Sequence, residues 1–185
     1  ALVMLAAAVF ERLVGDRDGL YNACMLYKRF IHSSWLQQQR SSKWHLQLCI
    51  AYVKLLVGDT EREAYFRDDR REFLLRFTPS TIHDELMRCI SYHPEDMQTL
   101  AGLSSYYCFT NSSSTRFRRE VAVLAEKHPS VNLFLVALAY EIFSVKGSEQ
   151  RVRHLFETAL STDGIKGVVI LWRVYMAWEL QQGQN

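Results

Sequence analysis

The chain has 185 residues, enough for one sizeable domain or for about five helical hairpins of roughly 34 to 40 residues each. Apolar residues make up 49% and charged residues 23%, a balance that excludes global disorder. With 22 basic against 20 acidic side chains the net charge is only +2, so any contact with nucleic acid has to be local.

The opening residues 1–10 are almost wholly apolar, yet they run into Glu11-Arg12 with no basic start and no cleavage site, unlike a secretory leader. Leu2, Leu5, Ala6, Val9, Phe10 and Leu13 instead follow the i, i+3, i+4 spacing of a helix lying on a core. Gly15-Asp16 ends that helix, because glycine tolerates the left-handed conformation past the last turn; the string Leu56-Val57-Gly58-Asp59 repeats the same stop. The chain starts without Met and ends in mid-pattern at Gln184-Asn185, so it reads as a fragment of a longer protein.

A second helix is expected over 20–31, then a loop or extra helical turn over 33–43, then a helix over 44–57 with apolar positions 44, 48, 51, 52, 55 and 56. Thr60 and Glu63 form a capping box that opens a charged helix over 61–77, read as a solvated outer face. Pro79-Ser80 breaks it. Four more helical stretches follow over 82–92, 97–109, 117–127 and 133–145, and Pro94 and Pro129 are expected to preset first helical turns. The last two helices carry the stripes Val152, Leu155, Phe156, Ala159, Leu160 and Leu171, Val174, Tyr175, Trp178. No stretch alternates like a strand, and none reaches the ~18 unbroken apolar residues of a membrane helix.

An internal period joins these pieces. Pro94 and Pro129 stand 35 residues apart, each after a histidine, and a further 35 residues reach Gly164. Phe134 and Trp172 are 38 apart, as are Glu141 and Glu179, the extra three residues being Ile165-Lys166-Gly167. A period of this length implies an all-α fold, an α-solenoid of stacked antiparallel helical hairpins over the single domain 1–185, clearest over 80–182.

The segment Arg153-Leu155-Phe156-Glu157-Ala159-Leu160, followed by Trp172, Tyr175 and Glu179, resembles the half-a-TPR (HAT) repeat of RNA-processing scaffolds. Within those proteins the spacing from His93-Pro94 through Arg153 to Leu171-Trp172-Arg173 is most similar to the nuclear-RNAi-defective-two family of nuclear exosome regulators. The resemblance implies a non-catalytic nuclear scaffold in RNA processing and surveillance. Its implied partners are splicing factors and the DExH-box RNA helicase of the nuclear exosome, the helicase contact lying outside this fragment. It also makes Phe134, Glu141, Arg153, Phe156, Glu157, Trp172, Tyr175 and Glu179 architectural positions of the repeat.

Motifs for chemistry are missing from the sequence: it has no phosphate-binding glycine loop, nucleophile elbow, zincin motif or dinucleotide fingerprint, so neither an enzyme nor a cofactor is expected. The four cysteines, at 24, 49, 89 and 108, lack any C-x-x-C pair and read as buried thiols of a reducing compartment; the six histidines show no close metal spacing. Trp172, Tyr175 and Glu179 lie near one helical face, which favours core packing over base stacking. Arg116, Arg118 and Arg119 form one compact basic cluster, the candidate contact for RNA or an acidic partner. Two functions therefore stay open: a protein-interaction scaffold and a direct RNA-binding module.

Overall fold

The computed structural model describes residues 2–14, 18–58, 67–109, 114–144 and 147–183. Among them are eleven helices and no strand: α1 (Leu2–Val14), α2 (Gly19–Ile31), the short α3 (Ser34–Gln37), α4 (Lys43–Val57), α5 (Arg67–Arg76), α6 (Pro79–Tyr92), α7 (Met97–Phe109), α8 (Ser114–Lys127), α9 (Val131–Phe143), α10 (Glu149–Ser161) and α11 (Val169–Gln182). The chain is all-α. The stop at Gly15-Asp16, the capping box at Thr60 and the polar stretch 110–113 lie outside the described residues. The helices divide into two compact units, 1–93 and 94–185.

In the first unit α2 packs on α1, α4 and α5, and α4 packs on α6. Leu20, Ala23, Cys24, Tyr27 and Ile31 of α2 are buried at the spacing the sequence predicts, and Tyr27 stacks on Tyr52 of α4 with ring centroids 6.1 Å apart. Helix starts are set by side-chain caps: Ser42 accepts from the His45 amide at 3.2 Å and Thr78 from the Thr81 amide at 3.3 Å. Gly58 ends α4 at φ +91°, the left-handed conformation expected of that stop.

The charged helix ends at Arg76, ahead of Pro79-Ser80 as the sequence predicts. Pro79 itself occupies the first turn of α6, where its missing amide has no partner to lose. Two other expectations fail, each for a local reason. Pro94 and Pro129 fall outside helices, because Asp96 and Ser130 take the capping role and α7 and α9 begin after them. In α1 the residues Val9, Phe10 and Leu13 are exposed and Ala8 is buried instead. Small residues let α2 approach closely: a Cβ added at Gly19 would stand 2.6 Å from the carbonyl oxygen of Glu11.

In the second unit α9 packs on α7, α8 and α10, and α10 packs on α11. Phe117 and Arg118 near the start of α8 meet Tyr140 and Glu141 near the end of α9, so these helices are antiparallel. Arg153 near the start of α10 meets Glu179 near the end of α11 in the same sense. A core of Phe134, Leu138, Val152, Phe156, Leu171 and Trp178 joins α9, α10 and α11.

Candidate functional site

The two hairpins α8–α9 and α10–α11 place matching residues alike. Arg118 and Arg153 are 35 apart in sequence, and each arginine forks onto a glutamate of the following helix. Arg118 donates from Nε to Glu141 Oε1 at 2.5 Å and from an Nη to Oε2 at 3.0 Å; Arg153 donates to Glu179 at 2.7 and 3.0 Å. Such two-point pairing fixes orientation as well as charge. The pairing holds each arginine pKa above its usual value, and the Arg153 hydrogen bond pulls the Glu179 carboxyl below its own.

Among the repeat positions, Phe134, Phe156 and Glu141 are buried, Tyr175 is half-buried and stacks on Phe156 at 4.6 Å, and Glu157 is exposed. Trp172 departs from its expected place in the core. It is 46% exposed, and its Nε1 donates to the carbonyl of Lys166 at 3.0 Å. Leu171, Tyr175 and Trp178 form the inward face of α11, and Trp172 stands one position off it. The basic cluster is likewise divided: Arg116 and Arg119 are exposed, whereas Arg118 is turned inward onto Glu141.

That ion pair borders a cavity of about 230 Å³ between α8, α9 and α10. Val121, Ala125, Phe134 and Leu155 give it an apolar wall, and Arg118, Glu141 and Arg151 stand at its polar edge. The cavity fits an apolar side chain with a polar neighbour better than it fits a row of phosphates.

A second constellation lies in the first unit. α4 and α6 are antiparallel, so His45 meets His93, just past the end of α6, and Cys49 meets Cys89 one turn further in. His45 Nδ1 is 2.7 Å from His93 Nε2 and 3.6 Å from Cys49 Sγ. The ligand-type atoms of His45, Cys49 and His93 all lie within 4.8 Å of one another. His45, Cys49 and Cys89 are fully buried, and His93 is partly so. The hydrogen bond from the Cys89 thiol draws Cys49 down to about 6 against the opposing effect of burial, with His93 adding to it, while Cys89 is pushed up by sharing its proton with Cys49. Burial, then the charges of His93 and Arg40, hold His45 at about 4.

The surroundings of this cluster are ordered too. The Tyr92 ring meets His45 edge-on at 5.3 Å and its hydroxyl is 3.2 Å from His32 Nδ1. His32 Nε2 in turn is 2.9 Å from Glu85, which Lys28 also reaches at 3.0 Å. Three of the four cysteines are buried as expected, and Cys108 is exposed.

The sequence does carry a signal for this cluster. His45 and Cys49 stand at i, i+4, and so do Cys89 and His93, so that each pair shares one helical face. Searching for histidine spacings alone, or for cysteine pairs alone, misses a mixed pattern. No family model, curated protein or solved structure matches the chain.

Proposed function

We propose that this chain is a non-catalytic α-solenoid scaffold that binds other proteins in nuclear RNA processing, on the model of the HAT-repeat exosome regulators it resembles. The observation that carries the reading is the outer face of α11. Val169, Trp172, Met176 and Leu180 are all exposed and fall within one quarter of the helix circumference, opposite the buried Leu171 and Trp178. A helix apolar on both faces is one that a further hairpin or a partner covers. The cavity beside Phe134 supports the same reading, because it offers an apolar pocket with charged edges to a peptide or helix.

The direct RNA-binding reading loses its main support with Arg118. Its guanidinium is engaged by Glu141, which leaves Arg116 and Arg119 as the exposed members of the cluster. Two surface cations give little of the counterion release on which phosphate binding depends. The test is a pull-down from nuclear extract with the wild-type chain and a Met176→Asp, Leu180→Asp variant, each with and without nuclease. Protein partners that survive nuclease and are lost in the variant are the expected result. Partners that vanish with nuclease, with RNA binding abolished by Arg116→Ala, Arg119→Ala, would overturn it.

A further inference from the structure

We propose that His45, Cys49, Cys89 and His93 form a zinc site, with Zn(II) held by His45 Nδ1, His93 Nε2 and Cys49 Sγ and the tetrahedron closed by Cys89 Sγ. α4 contributes His45 and Cys49, and the end of α6 contributes Cys89 with His93 just past its last turn; three of the four ligand atoms already converge within 4.8 Å. Tetrahedral zinc, with Zn–N of about 2.0 Å and Zn–S of about 2.3 Å, separates its ligands by roughly 3.3 Å between nitrogens, 3.5 Å from nitrogen to sulfur and 3.8 Å between sulfurs. The observed 3.6 Å from Cys49 to His45 matches the nitrogen-to-sulfur edge. The 2.7 Å between the imidazoles is a hydrogen bond, so a metal replaces the shared proton and parts the rings by about 0.6 Å.

Charge argues for the fourth ligand. Zn(II) with two thiolates and two neutral imidazoles is neutral, whereas a single thiolate leaves a buried positive charge beside the fully buried His45 and Cys49. Binding is therefore coupled to loss of both thiol protons to solvent, through the side of the cluster where His93 is only partly buried. Nitrogen and sulfur donors without a carboxylate select zinc over magnesium or calcium. Zinc on Nδ1 places the His45 ring proton on Nε2, which has no hydrogen-bond partner among the described residues, so the metal bonds must outweigh one unpaired buried N–H. The site ties the start of α4 to the end of α6 across four dozen residues of chain, a link absent from the unfolded state.

The experiment is metal analysis of the reduced, desalted chain after dialysis against zinc, paired with the absorption spectrum of the cobalt(II)-substituted wild-type chain. One zinc per chain is expected, with the intense visible bands of tetrahedral cobalt and a sulfur-to-cobalt charge-transfer band. Cys49→Ser should abolish that band and Cys89→Ser should roughly halve it, while exposed His154→Ala should retain the full metal content. Circular dichroism establishes which variants fold, and the wild-type spectrum decides the matter without them. Wild-type chain that retains no more zinc than a folded Cys49→Ser, His93→Ala variant, or that gives the weak spectrum of six-coordinate cobalt, overturns the site. An unchanged charge-transfer band in Cys89→Ser overturns the four-ligand set.

Discussion

The hairpins α8–α9 and α10–α11 carry the same pattern in sequence, and their differences show where burial comes from. Tyr140 and Trp178 occupy matching positions and both are buried, as are Leu133 and Leu171. Phe134 and Trp172 also match, yet Phe134 is 1% exposed and Trp172 46%. The difference is not in the hairpin but in its neighbour: α10 lays Val152 and Phe156 over Phe134, and none of the described helices covers Trp172. Burial at a matched position is thus decided by whether a following helix packs over it, as α10 does over α9.

Truncating the matched aromatics breaks this comparison most sharply. Phe134→Ala should cost about 3 to 5 kcal/mol, the range for a large buried aromatic, and Phe156→Ala, at the centre of the same core, should cost as much. Trp172→Ala should cost clearly less despite the larger side chain, because it removes only a half-covered ring and its hydrogen bond to the Lys166 carbonyl. Urea unfolding of the three variants is the measurement. A Trp172→Ala loss equal to that of Phe134→Ala would mean that Trp172 is covered in solution.

The paired ions give the next contrast. Glu141 is buried under its arginine, so Glu141→Gln leaves Arg118 half-sheltered without a counter-charge and should cost on the order of 3 kcal/mol. Glu179→Gln removes the same two-point contact at a more open place and should cost clearly less. Thermal unfolding of the two variants in low and high salt checks both, since screening should weaken only the Glu179 effect. Equal losses would show that the open and the buried pair are not distinct.

What was legible in the sequence follows from what repeats in it. The inward stripes of α2, α10 and α11 were readable because they are periodic, and the stop at Gly58 because only glycine suits its backbone. The exposure of Trp172 was not, since helical period says which residues share a face and not whether another helix arrives to cover it. Nor was the engagement of Arg118, whose partner lies 23 residues away on the next helix. On α4 the apolar pattern pointed to Trp44 as the inward residue, but Trp44 is half-exposed and His45 takes the buried place. That inversion hid the His45, Cys49 and His93 cluster, which forms only when α6 returns alongside α4.

Glu85, buried without any repeat arginine, shows what a carboxylate does in the other unit. Burial pushes its pKa up, but hydrogen bonds from His32 and Lys28 outweigh that and hold it at about 2, with Arg88 at 3.7 Å and Tyr52 also facing it. A depressed carboxylate contributes stability above its ordinary pKa and loses it as pH falls through the folded value, here between about 4.5 and about 2. The contribution at neutral pH is on the order of 3 kcal/mol. Unfolding curves of wild type and Glu85→Gln should therefore converge as the pH is lowered through that window. A gap that stays constant down to acid pH would remove the ion network from the account.

The smallest effect on stability gives the finest view of the comparison, and fluorescence quenching reads it. Of the four tryptophans, Trp35, Trp44 and Trp172 are about half exposed and Trp178 is 8% exposed. With Trp35, Trp44 and one of the two α11 tryptophans replaced by Phe, the chain that keeps Trp172 should be quenched readily by iodide and the chain that keeps Trp178 hardly at all. Neither should lose more than about 1 kcal/mol where the replaced ring is exposed. The pair then becomes a reporter for the outer face of α11. A protein that seats on Val169, Met176 and Leu180 must shield Trp172 and leave Trp178 unchanged, since Trp178 already faces Phe156. Shielding of both together would mean that α11 rearranges on binding, and shielding of neither would place the partner elsewhere on the chain.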